Sequence, residues 1–160
     1  MPSRPQTRPP ARAYDSELDD VCSILGDVCD FAGSEGKFLV SGFGQAPWPV
    51  DVRTDLMVVL EQLPEVLLAI EADRPFEIDF YEQGVQRKIV FSPDGSGYAM
   101  SCLSYGAWQP STTVEHIDDA SLERMLLAVR DEFMRFVFAS CPDLATHPWL
   151  REWLREAHHG

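Results

Sequence analysis

The chain has 160 residues, 45% of them hydrophobic and four of them tryptophan, which suits one domain with a real core and argues against wholesale disorder. Its formal net charge is −13, and residues 1–13 hold Arg4, Arg8 and Arg12 without an acid, so the remainder sets ten basic residues against 26 acidic ones, a net of −16. Such a surface repels phosphate backbones, attracts basic proteins and helps solubility, so nucleic acid is disfavoured as a partner.

Residues 1–13, rich in proline and arginine, are expected to form a flexible arm ahead of a single α+β domain at 14–160. The arginines have no apolar run behind them, so no signal peptide is expected, and no stretch reaches transmembrane length. Cys22, Cys29, Cys102 and Cys141 contain no C-x-x-C pair. Cys22 and Cys29 fall two turns apart on one expected helix, about 10 Å by helical rise, too far for a disulfide. Free thiols and a cytoplasmic setting are the expectation.

Leu18, Val21, Cys22, Leu25, Val28 and Cys29 recur at helical spacing, predicting a helix over 16–31 capped by Asp15 or Ser16. Lys37–Ser41 reads as a short strand. Gly42–Val50, with two glycines, two prolines, Phe43 and Trp48, reads as a loop; it lacks the Gly-Lys-Ser/Thr of a phosphate loop. Leu56, Val59, Leu60, Leu63, Leu67 and Ile70 predict a helix over 55–72. Pro64 implies a kink there, or two elements meeting at Leu63. Met57–Leu60 has a strand-like composition as the alternative.

From Phe76 the period changes to two. Phe76, Ile78 and Phe80 alternate with Glu77, Asp79 and Tyr81, which predicts a half-buried strand. A reversal at Gln83-Gly84 pairs Phe76 with Phe91, Ile78 with Ile89, Phe80 with Arg87, Asp79 with Lys88 and Glu77 with Val90. A second reversal at Pro93-Asp94-Gly95 leads to a third strand over Gly97–Tyr105. Ser101, Leu103 and Tyr105 share one of its faces, and Met100, Cys102 and Ser104 the other. Gly106–Thr113 is a loop carrying Trp108. A long helix over 119–139 follows, starting at Asp118 or Asp119, with Leu122, Met125, Leu126, Val129, Phe133, Phe136 and Val137 in its buried stripe and Leu127, Met134 and Phe138 broadening it. A last short helix, capped by Thr146, docks through Trp149, Leu150, Trp153 and Leu154. The fold class is therefore α+β, a three- or four-stranded antiparallel meander packed against the long helix with flanking helices.

No catalytic or metal signature stands out. His116 and His147 belong to no H-E-x-x-H or Cys/His spacing, and no G-x-S-x-G surrounds Ser101 or Ser104. A small cysteine hydrolase would need Cys102 activated by His116. Glu77 and Asp79 could hold a hard cation, but Lys88 opposite Asp79 favours cross-strand charge pairing. No cofactor is expected.

The remaining feature is an acidic domain bearing aromatic residues in its loops. Trp48, Tyr81, Tyr98, Tyr105 and Trp108 suit either a protein-binding rim or closure of the sheet and loop edges. Asp51, Glu77, Asp79, Glu82 and Asp94 would meet a basic cleft. These ten residues form the expected partner-binding set. FEIDFYEQGVQRKIVFSPDG, a third strand and a long carboxy-proximal helix together resemble small immunity proteins of bacterial polymorphic and contact-delivered toxins, in arrangement and composition. That resemblance implies a cytoplasmic α+β domain that binds and neutralises a cognate toxin domain. The expectation is a non-catalytic module for one basic protein partner, with no nucleic acid and no membrane. An acidic secretion-effector chaperone is a further alternative, recognisable by an obligate dimer with a large exposed apolar face.

Overall fold

A computed structural model describes residues 12–82 and 84–158. Helices α1 (Val21–Ala32), α2 (Met57–Glu71), α3 (Asp119–Ser140), α4 (Pro142–Ala145) and α5 (Pro148–Glu156) accompany a four-stranded antiparallel sheet in the order β1 (Phe76–Phe80), β2 (Arg87–Pro93), β3 (Gly97–Ser104) and β4 (Val114–Asp118). The fold is the α+β meander packed against helices, α3 among them.

Of the residues assigned to the arm, 1–11 lie outside the described residues; Arg12 binds Asp19 and Asp27, at 3.2 and 2.7 Å. The first helix starts at Val21, not Ser16. The reason is local: the Asp15 carbonyl takes the Leu18 and Asp19 amides in a turn, and Asp20 and Ser23 form a reciprocal capping box. Leu18 is left exposed before the helix. Ile24, Leu25, Val28 and Cys29 form its buried face.

Residues 37–41 are not a strand. Near them an isolated bridge joins Gly42 to Gln45, and the Val40 carbonyl accepts from the Trp48 amide at 2.7 Å. One edge of the sheet is already occupied: the Gln62 side-chain amide donates to the Asp79 carbonyl and accepts from the Asp79 N–H, both at 2.9 Å. A side chain of α2 thus pairs with β1 as a neighbouring strand would.

The segment containing Pro64 is one α-helix, α2, entered through a π-helical turn at Val52–Leu56 that Asp51 caps by accepting from the Thr54 amide. The strand alternative at 57–60 fails because α2 is the central helix, with Val58, Val59, Leu60, Leu63, Val66 and Leu67 all buried. Pro64 has no N–H for the Leu60 carbonyl one turn earlier. The indole Nε1 of Trp153 on α5 donates to that carbonyl instead, at 2.9 Å.

The strand register between β1 and β2 is the one read from the alternation, from Phe76 opposite Phe91 to Phe80 opposite Arg87. Gln83 of the expected reversal lies outside the described residues, and Gln86 carries a positive φ of 52° in that connection. At the second reversal Gly95 takes φ 68°, which favours glycine. Gly97 is required by space: a Cβ there would come within 2.1 Å of the Ile117 carbonyl on β4. β4 is the strand that the sequence reading missed, although Val114 to Asp118 alternates half-exposed and exposed positions.

Helix α3 begins after Asp118, whose carboxylate accepts from the Ser121 amide and hydroxyl. Two residues assigned to its buried side, Met125 and Phe138, are exposed, and Arg130 is buried in their place. Arg130 faces the end of α5, where Nη1 donates to the Ala157 carbonyl at 2.7 Å and the guanidinium pairs with Asp131. The last helix is capped by His147, not Thr146. The His147 ring nitrogen accepts from the Trp149 amide, and the Thr146 hydroxyl donates to Asp143 at the end of α4.

Candidate functional site

Period-two alternation divides the sheet into two faces with different surroundings. Ile78, Phe80, Ile89, Phe91, Tyr98 and Cys102 point into the core beneath the helices. The opposite face is open, and it gathers polar side chains. Lys88 Nζ bridges Glu77 at 3.0 Å and Asp79 at 3.6 Å. The hydrogen bond to Glu77, helped by Asp79 and Tyr105, raises the Lys88 pKa, so the ammonium stays charged. Across the sheet, His116 Nδ1 lies 2.8 Å from an Asp94 carboxylate oxygen. Asp118 is held below the usual carboxylate range by the Ser121 hydroxyl and amide. Between these groups run half-buried Val90, Ala99 and Ser101 and the exposed Leu103 and Val114, with Tyr105 exposed just beyond β3.

Four of the expected partner-binding residues, Glu77, Asp79, Asp94 and Tyr105, therefore share the open face. Three others lie toward the helices. Tyr81 is exposed, but its hydroxyl donates to Glu61 of α2 at 2.6 Å, and burial with Glu61 raises its pKa. Asp51 serves as the cap of the π-helical turn. Glu82 is half-buried near Asp55. Asp55 is itself buried, with its pKa raised by burial against the opposing bond from the Asp51 amide.

Two rings do not reach the surface. Tyr98 is 1% exposed, packed edge-on against Phe76 and Phe91, and its hydroxyl donates to the Arg74 carbonyl at 3.1 Å. Trp48 is 2% exposed, with Nε1 bonded to the Gly42 carbonyl. Both are core residues and leave the partner-binding set. The reason is that each can satisfy its polar atom on a nearby carbonyl, so the whole ring can be buried.

Trp108 is half-buried above Arg87, a residue that the register had already put on the inner face. Arg87 is 3% exposed, its guanidinium 3.6 Å from the Trp108 ring centre and 4.6 Å from that of Trp48, and Nη1 donates to Gln45 at 2.7 Å. No carboxylate pairs with it among the described residues, so the indole faces and the Gln45 oxygen stand in for a counter-ion. Burial lowers its pKa, with Cys102 opposing that effect.

The cysteine-hydrolase pairing fails on geometry. Cys102 faces the core and pairs in register with Ile89, whereas His116 stands opposite Ala99 on the open face. The two side chains leave the sheet on opposite sides. Burial also pushes the Cys102 thiol up, with Arg87 offsetting it only in part, so the thiolate needed for attack is disfavoured. Among the described residues no cluster of His, Cys, Asp or Glu has the geometry to hold a metal ion.

Sequence reasoning did not anticipate the contribution of β4 to this face. Its signal was the alternation Val114, His116, Asp118 just before the helix cap. Compared with protein-family models, curated proteins and solved structures, the chain matches none. No helix among the described residues is long and apolar enough to cross a membrane.

Proposed function

We propose that this chain is a non-catalytic protein-binding module, an immunity-type inhibitor that occludes a toxin domain or other enzyme with a basic surface. The observation that carries this reading is the open sheet face, where Glu77, Asp79, Asp94 and Asp118 surround a strip of small and apolar residues and Lys88 is the one ammonium on the strands beside them. Burial of Leu103, Tyr105 and Val114 would hold a complex together, and the carboxylates would compete for lysines and arginines of the partner. Free thiols at all four cysteines fit a reducing, cytoplasmic setting. The resemblance in layout to toxin-immunity proteins points the same way.

The test is titration calorimetry with a purified partner, obtained by affinity capture on the immobilised chain, across a series of salt concentrations. One basic protein is expected, with affinity falling as salt rises because exposed charge contacts are screened. Joint replacement Glu77→Lys and Asp79→Lys should weaken binding by about tenfold or more, since like charges would then face each other. Tight binding indifferent to both salt and charge reversal would sink the reading.

A further inference from the structure

The two edges of the sheet differ. The Asp94 N–H donates to the Gly97 carbonyl and the Tyr105 N–H to the Gln86 carbonyl, which sets which residues of β2 and β3 exchange hydrogen bonds. By that parity Tyr98 and Met100 turn their amides toward β4, where Ile117 and Glu115 meet them in register. The Asp119 N–H on the Ser96 carbonyl continues the same alternation. Val114 and His116 consequently direct their N–H and C=O groups away from the sheet, and among the described residues nothing bonds to them. On β1 the outward groups of Asp79 are both taken by Gln62. One edge is closed at Asp79 by a side chain, and the other is open along its length.

Resting on the protein-binding reading, we propose that the β4 edge receives an extended segment of the basic partner, which adds to the sheet as a fifth strand. An extended peptide backbone satisfies successive outward N–H and C=O groups along the length of a strand edge, where a side-chain amide reaches only one residue. β4 also carries no lysine, proline or bulge of the kind that blunts an edge. A strand laid there places alternate side chains beside His116 and Asp118 on the open face, with the Asp94 carboxylate held at the His116 ring, so lysine or arginine at those positions meets negative charge. A second copy of this chain is the less suited occupant. A two-fold pairing about His116 would set two imidazoles side by side and Asp118 of each chain opposite Val114 of the other, which gives no carboxylate a cation, between chains that each carry −13.

The probe is a short peptide of alternating lysine and valine, added to the full chain while backbone amide exchange is followed residue by residue. Val114 and His116 amides should exchange fast in the free protein and slow by about tenfold or more with peptide. Val114→Pro removes an outward N–H without touching the ladder to β3, so it should weaken peptide binding by about tenfold more than Val114→Ala, which loses the side-chain contact and keeps the N–H. If Val114→Pro does not fold, amide exchange alone decides. Peptide that binds in a salt-dependent way, is weakened by Glu77→Lys with Asp79→Lys, and leaves both amides fast would overturn the edge proposal while sparing the protein-binding reading. Absence of any peptide binding, with the purified partner indifferent to charge reversal, would remove both. Amides already slow in a free protein of doubled mass would assign the edge to a second copy and overturn the proposal.

Discussion

Pro64 and Trp153 lie far apart in the chain and act on one carbonyl. The proline withholds the amide that Leu60 would otherwise accept, and the indole supplies a donor at 2.9 Å in a buried place. Trp153→Phe keeps most of the ring and leaves that carbonyl without a partner. It should destabilise the protein by about 1–3 kcal/mol in urea unfolding. In a Pro64→Ala background the alanine amide can bond Leu60, so the same change should cost about 1 kcal/mol less there. Equal costs in the two backgrounds would show that the indole acts by packing alone. Arg87 illustrates the same scale differently. Its charge was visible in the sequence, and its place on the apolar face followed from the register, but the two indoles that cover it come from separate loops.

At the scale of elements, alternation and turn chemistry made the β1–β2 register readable, because both faces of the hairpin had to be sensible at once. The span of α3 was readable for a related reason: an acidic cap begins it and a Cys-Pro pair ends it. The start of α1 was not, because four acids near it compete as caps and the turn at Asp15 wins the first of them. Residues 37–41 have strand-like composition but join neither edge, and beside β1 the Gln62 side chain takes both outward groups of Asp79. Gln62→Ala should therefore do three things. It should cost about 1–2 kcal/mol by losing the bonds to Asp79, and it should speed exchange of the Asp79 amide. It should also promote association at high protein concentration, measured by sedimentation, because a bare edge invites another strand. An unchanged Asp79 amide would refute the role given to Gln62.

Across the whole molecule, helices cover one face of the sheet, and the cysteines report how completely that core is closed. Cys29, Cys102 and Cys141 are buried, and Cys22 is half-buried. Burial is the leading cause that raises each thiol, to about 12 for Cys29 and about 11 for Cys22, where Glu61 and Asp20 add to it. A raised thiol pKa means fewer thiolates at a given pH, so reaction with a disulfide reagent near neutral pH should be slow at every site. Cys22 should react first, and the other three at the rate of unfolding. Rapid modification of Cys102 in the native state would contradict its place in the core.

Periodicity by itself determined the α+β class, the paired register of β1 and β2 and the long helix, because each is written in neighbouring residues whose spacing matches one regular backbone. It also put Glu77 and Asp79 on the face away from the core. Tertiary structure alone decided that Trp48 and Tyr98 are interior, that Cys102 and His116 leave opposite sides of the sheet, and that a helix side chain pairs with Asp79 on one strand edge while the other edge is open. Those outcomes depend on contacts between residues remote in sequence, such as Gln62 with Asp79 and Leu60 with Trp153, and a local pattern carries no record of which distant group will arrive.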